Sequence, residues 1–261
     1  MKTVILIPAR YASTRYPGKP LAALRQADGS SKTLIQMSWE AAQAIAGVAA
    51  VHVVTDDDRI KQAAEGFGAS VLMTSPDAEN GTARCAEAAA HVDADLIVNF
   101  QGDAPLTPPW FVEDLIAAMA QDASADMATP VLQCDAGTYA MFAEDRRNGR
   151  VGGTTAVFGA DYRALYFSKE IVPYIDPGKV PATDIPVYHH VGVYAYRPAA
   201  LEAYTRWPVS ELETLEGLEQ LRFLVNGAAV RCVEVQARGR VFWELNNPED
   251  IARIEKVLAT Q

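Results

Sequence analysis

Along the first half of the chain, short uniformly apolar runs alternate with longer stretches in which apolar residues recur every three or four positions. Residues 4–8 (VILIP), 50–55 (AVHVVT), 70–73 (SVLM), 95–101 (DLIVNFQ) and 127–131 (MATPV) are runs of the first kind. Their length and β-branched content predict strands buried on both faces. Residues 33–45, 57–68, 82–92 and 108–121 carry the helical period, with Gly66 or Gly68 suited to a C-cap and Pro109 to a first turn. Such alternation builds βαβ units around a parallel sheet, and sheets of this kind take ligands beyond the carboxyl ends of their strands.

The alternation lapses from about residue 134 to 180, where Gly, Asp, Arg and Pro accumulate. This predicts a loop-rich insertion that returns through RALYFS (163–168). Beyond it, residues 187–197 (VYHHVGVYAYR) read as one strand and 198–207 as a helix. Residues 212–227 read as one longer helix with Leu212, Leu215, Leu218 and Leu221 on a core face. A strand follows at 229–235, and a closing helix at 247–261 with Asn247 as N-cap before Pro248. The whole is expected to form one α/β domain over 1–261, a mostly parallel central sheet flanked by helices.

Composition narrows the partners. A chain of 261 residues with 49% hydrophobic residues can bury one large core. A formal net charge of -10 argues against a nucleic-acid or anionic-membrane surface, so an anionic ligand must be met by local cations. No apolar run approaches the roughly 20 residues of a membrane span, and the opening run is too short for a signal-peptide core, so a cytoplasmic protein is expected. Cys85, Cys134 and Cys232 have no CxxC spacing and read as buried thiols; the four histidines show no metal-ligand spacing.

The candidate chemistry lies where the first strand ends, in IPARYASTRYPGKP (7–20). Two guanidinium forks, Arg10 and Arg15, the Ser13 hydroxyl and the Lys19 ammonium leave the sheet edge together, with Gly18 allowing close backbone approach. The set suits phosphate, although no GxxxxGK[ST] pattern is present. Alone it could equally be a solvated basic turn. A second feature, NFQGDAP (99–105), puts Asp103 just past an apolar strand, where its carboxylate could hold Mg²⁺ against a triphosphate. A lone aspartate in a turn would be unremarkable in that place; beside the cationic loop on one sheet edge, the metal reading is the better one.

These segments, together with TDDDRI (55–60), MTSP (73–76), NGTARCAEA (80–88), RALYFS, HHVGVYAYR (189–197), LETLEGLEQLRFL (212–224) and NPEDIARIE (247–255), resemble in order the 3-deoxy-manno-octulosonate (Kdo) cytidylyltransferase family, the CMP-Kdo synthetases. The resemblance covers almost the whole chain. It implies a Rossmann-like nucleotidyltransferase fold, a homodimer with the insertion serving dimerisation, and Mg²⁺-dependent conversion of CTP and Kdo to CMP-Kdo and pyrophosphate for lipopolysaccharide or capsule. It further implies that Arg10, Ser13, Arg15 and Lys19 contact the triphosphate, with Arg10 and Lys19 stabilising charge as pyrophosphate leaves, and that Asp103 holds the metal. Arg84, Gln101, His190, Tyr194, Glu219 and Gln220 fall at the acidic sugar, and Pro8, Ala9 and Thr82 at the cytosine. On residue chemistry alone, His190 reads as a structural histidine, Tyr194 as sheet packing and Glu219 as an exposed helix charge.

Departures from the family pattern cluster at this site. Asn246 stands where an aspartate usually completes the metal shell, a dipole in place of an ion. Ala104 and Ala83 stand where the family usually has acids, and Thr155 where it often has a lysine. The concentration suggests an acceptor related to Kdo, such as its 8-amino-8-deoxy form. Three alternatives stand beside it: a CMP-sialate synthetase, against which LEQLR and HHVGVYAYR argue; a catalytically weakened CTP-binding homologue; and a structural α/β domain, which leaves the QGD turn and Arg84 unexplained.

Overall fold

The computed structural model describes residues 1–12, 16–151, 153–240, 245, 248 and 250–259. The strands are β1 (Thr3–Pro8), β2 (Ala23–Arg25), β3 (Ser31–Thr33), β4 (Val48–Thr55), β5 (Ser70–Met73), β6 (Leu96–Phe100), β7 (Met127–Gln133), β8 (Thr155–Phe158), β9 (Ala164–Ser168), β10 (Tyr188–His190), β11 (Val193–Tyr196) and β12 (Val230–Glu234). The helices are α1 (Leu34–Gln43), α2 (Asp58–Gly66), α3 (Gly81–Ala89), α4 (Pro109–Gln121), α5 (Ala136–Arg147), α6 (Pro198–Arg206), α7 (Glu211–Glu216), α8 (Leu221–Val225) and α9 (Asp250–Leu258).

One large sheet runs β5-β4-β1-β6-β11-β7-β10-β8-β9, with β12 paired to β7; β2 and β3 form a separate hairpin. The strands β5, β4, β1 and β6 are mutually parallel, as is the β12–β7 pair, whereas β11 enters antiparallel between β6 and β7 and the run to β9 stays antiparallel. Alternate residues of β1 feed opposite faces. Ile5 and Ile7 join a core with Val53, Val98, Phe111 and Leu115, while Val4 and Leu6 join one with Cys85, Tyr196, Leu221 and Phe223. That two-sided burial is why the parallel strands read as unbroken apolar runs.

Three segments differ from the sequence expectation. The insertion contains α5, capped by Asp135 through the Thr138 amide (2.7 Å). Only Phe142 of that helix is buried, so it carries no amphipathic signal. The segment 187–197 is two strands, because β10 pairs with β7 and β8 while β11 crosses between β6 and β7. The expected helix over 212–227 is also two: Gly217, at φ 61°, ends α7 in the left-handed conformation, and the chain turns through Leu218–Gln220 into α8. Leu212 and Leu215 are therefore not on a core face but 40% and 75% exposed, whereas Leu221 is fully buried. The three cysteines are free and buried.

Candidate active site

At the carboxyl end of β1 the backbone is held on both sides. The Ala9 amide donates to the Val54 carbonyl (2.8 Å), and a Cβ on Gly102 would come within 2.9 Å of the Pro8 carbonyl oxygen, so only glycine fits the turn after β6. Ser38 donates to the Gly102 carbonyl (3.0 Å). This close packing delivers Asp103 to the loop after β1. There the Lys19 ammonium, on a short 3-10 turn, donates to the Asp103 carboxylate at 2.6 Å. The two side chains are 17% and 24% exposed, so the pair is reachable from solvent. Arg10 is exposed, two residues past the end of β1. The Leu245 amide donates to the Asp103 carbonyl (2.9 Å). Ser13, Arg15 and Asn246 lie outside the described residues.

The TDDDRI segment braces this loop, a role the sequence did not reveal. Asp57 accepts from the Arg59 backbone amide (2.9 Å) and from its Nε and Nη2 (3.0 and 2.6 Å). The guanidinium so fixed sits 3.3 Å from the centre of the Tyr11 ring, a cation–π contact. The Tyr11 carbonyl in turn accepts from the Gly18 amide (2.9 Å). Asp56 lies 3.1 Å from Arg84, which is 3% exposed and also donates to the Thr74 hydroxyl (2.5 Å). The Arg84 charge is thus already neutralised within the protein.

Opposite the loop, α3 begins against the sheet: a Cβ on Gly81 would lie 3.5 Å from Pro8 Cγ and 3.7 Å from Gln101 Nε2. The Gln101 amide donates to Asn99 Oδ1 (3.1 Å), and Asn99 is the register partner of Tyr194 on β11. Tyr194 donates to Gln220 Oε1 (3.3 Å), and the neighbouring Glu219 accepts from the Thr82 amide (3.0 Å). Buried Asn99 Nδ2 and Gln220 Nε2 have no partner among the described residues. Thr82 is fully buried with its hydroxyl 3.2 Å from that of Tyr196. Burial pushes the Glu219 carboxyl above its ordinary range, against the hydrogen bonds from Thr82.

The His190 ring lies 5.5 Å from that of Tyr194 and is tilted 37° to it, and its Nε2 lies 2.9 Å from the Thr129 hydroxyl. That hydroxyl lies 2.9 Å from the Val193 carbonyl; donating there, it leaves Nε2 as the donor to Thr129. Burial first, and then His189, lower the His190 pKa to about 3, so the ring is neutral. The departing positions are accommodated quietly: Ala104 is buried, and the Thr155 hydroxyl donates to the Glu170 carbonyl (2.7 Å). Among the described residues no group of three or more His, Cys, Asp or Glu could hold a metal. A groove of about 800 Å³ runs along α3 and α6 past Ala83, Glu87 and Trp207, and neither Lys19 nor Asp103 lines it. No described helix is long and apolar enough to cross a membrane.

The parallel half of the sheet leads at its strand ends to a lysine–aspartate pair, faced by a helix N-terminus and a row of buried amides and hydroxyls, the layout of an α/β protein with a polar-ligand site. The family model described as cytidylyltransferase matches residues 4–235, and the chain belongs to that family of nucleotidyltransferases. It is 40% identical over 263 residues to the 3-deoxy-manno-octulosonate cytidylyltransferase of Maricaulis maris, covering 100% of this chain and 98% of the relative. It is equally 40% identical to the 8-amino-3,8-dideoxy-manno-octulosonate cytidylyltransferase of Shewanella sediminis, covering 99% of each. Among solved structures, CMP:2-keto-3-deoxy-manno-octonic acid synthetase complexed with CTP superposes with a TM-score of 0.85 at 35% identity, covering 100% of this chain and 99% of that one. A 4-diphosphocytidyl-2C-methyl-D-erythritol synthase from Anaerococcus prevotii shares the fold alone, at a TM-score of 0.60 and 12% identity over 98% of each chain.

Proposed function

We propose that this protein transfers CMP from CTP to the anomeric hydroxyl of 3-deoxy-manno-octulosonate or its 8-amino-8-deoxy relative, releasing pyrophosphate, as a cytoplasmic homodimer serving lipopolysaccharide or capsule synthesis. The observation that carries this reading is the 2.6 Å Lys19–Asp103 pair at the carboxyl ends of β1 and β6. An incoming triphosphate draws the Lys19 ammonium, with Arg10, onto its phosphate oxygens and frees the Asp103 carboxylate. Mg²⁺ is commonly held by one or two carboxylates with phosphate oxygens completing the shell, so Asp103 fits it as the protein ligand. The ion supplies charge neutralisation on the triphosphate. The sugar oxygen bonds to the α-phosphorus, the bond to the β-phosphate oxygen breaks, and the hydroxyl proton leaves to solvent or a phosphate. Lys19 and Arg10 stabilise the charge that develops on pyrophosphate.

Pro8, Ala9 and Thr82 are read at the cytosine, and Arg84, Gln101, His190, Tyr194, Glu219 and Gln220 at the sugar's hydroxyls and carboxylate. The partnerless amide nitrogens of Asn99 and Gln220 support a polar ligand there, because a buried donor left without a partner costs about 1–3 kcal/mol. Relatives of equal identity act on the two octulosonates, which supports keeping both as acceptors. The homodimer rests on the resemblance to the Kdo cytidylyltransferase family alone. Incubation with CTP, Mg²⁺ and the two acceptors in competition, read by mass spectrometry, should yield a CMP-sugar from at least one. Absence of both products would overturn the reading.

A further inference from the structure

The turn at Asn80–Thr82 is gripped at two points by the chain that supplies Gln220. At one point Glu219 Oε2 accepts the Thr82 amide at 3.0 Å. At the other, Asn80 caps α3 by accepting the Ala83 amide (2.8 Å) and donates its own amide to the Tyr204 hydroxyl (2.8 Å). Tyr204 donates to Glu213 (3.3 Å), and Glu213 receives Arg222 through Nε and Nη2, both at 2.7 Å. The Arg222 guanidinium lies 4.1 Å from the Tyr204 ring centre. Glu213, Tyr204 and Arg222 are buried.

We propose that Glu219 is a positioning residue for the nucleotide: by capping the first turn of α3 it lets the 213–222 segment set the Gly81–Thr82 backbone against Pro8 and Gln101. The left-handed break at Gly217 makes this possible, because it puts Glu219 in a turn facing α3 while the next residue, Gln220, faces Tyr194 on the sheet. One short turn then joins the two substrate regions. The carboxylate also lies at the positive end of the α3 dipole, where a negative charge is stabilised. A residue serving only the sugar would need no bond to the Thr82 amide.

The inference rests on reading the Gly81–Thr82 turn as part of the nucleotide site, and calorimetric titration of CTP in the absence of any sugar separates the two. The wild type should bind CTP. Glu219→Ala should weaken that binding about tenfold, the loss expected when the Gly81–Thr82 backbone, no longer held, spends about a tenth of its time in the binding geometry. Glu219→Gln retains an oxygen acceptor and should bind within about threefold of the wild type, which also guards against a merely misfolded alanine variant. Wild-type affinity in Glu219→Ala, with only the octulosonate KM raised, would overturn the positioning role while leaving the proposed activity intact. No CTP binding by the wild type would overturn the nucleotide reading and this inference with it.

Discussion

The parallel half of the sheet and the antiparallel half hold their candidate site residues by different means. On β1 and β6 the means are shape and backbone: Gly102 against the Pro8 carbonyl, the Ala9 amide on Val54, and Ser38 on the Gly102 carbonyl. Around β11, β7 and α6–α8 they are buried polar side chains in sequence: Thr129 with His190, Tyr194 with Gln220, and Glu213 with Arg222 and Tyr204. A backbone scaffold lets its functional side chains vary without loss of the fold. A buried network ties function to stability, because each member satisfies another.

Substitutions in the two halves should therefore fail differently. Asp103→Asn should lower Mg²⁺-dependent turnover by roughly a hundredfold to a thousandfold, the scale of one lost electrostatic contribution, while its melting temperature stays near the wild-type value. Arg222→Met should do the reverse. It leaves the Glu213 carboxylate buried and unpaired, at a cost of about 3–5 kcal/mol, visible as a lower denaturant midpoint; an unchanged midpoint would erase the contrast.

Within the LETLEGLEQLR stretch, Leu221→Ala should cost about 2–5 kcal/mol as a core cavity. Leu215→Ala should stay within about 0.5 kcal/mol in the monomer, since one side chain is buried and the other 75% exposed. Equal costs would mean that α7 packs against something else.

The smallest effect is a slope. Burial holds His190 neutral down to about pH 3 and His189 down to about pH 4, against an ordinary value of 6.5. Between those limits the unfolded chain binds more protons, so stability falls as pH drops from about 6.5. The fall should be shallower in His190→Gln by denaturant titration across that window, and an unchanged slope would place the proton uptake elsewhere.

Legibility in the sequence follows the same division. The strands of the parallel half and α1–α4 were visible because two-sided burial and helical periodicity are local patterns. The cationic loop and the Asp103 turn could be placed together in advance because both follow strands whose carboxyl ends share an edge, although the Lys19–Asp103 contact itself was not foreseen. In the antiparallel half the strand segments were also visible, but the split of 187–197 into β10 and β11 follows from long-range pairings. The break at Gly217 turned an apparently continuous helix into a tight turn. The charge of Arg84, visible as a cation, is neutralised by Asp56 from another loop, and the Glu219 carboxylate faces a helix amide rather than open solvent. The TDDDRI segment was recognisable as a motif, but its bracing of Tyr11 through Arg59 depends on a contact between loops that no spacing encodes.

The most direct test of the central claim is pyrophosphate release by the purified protein with Mg²⁺ and CTP, with and without an octulosonate, alongside Asp103→Asn and with ATP, GTP and UTP as controls. Release that requires CTP and the octulosonate together, and that collapses in Asp103→Asn, is the predicted result. Release that is indifferent to the octulosonate, or undiminished in Asp103→Asn, would contradict it.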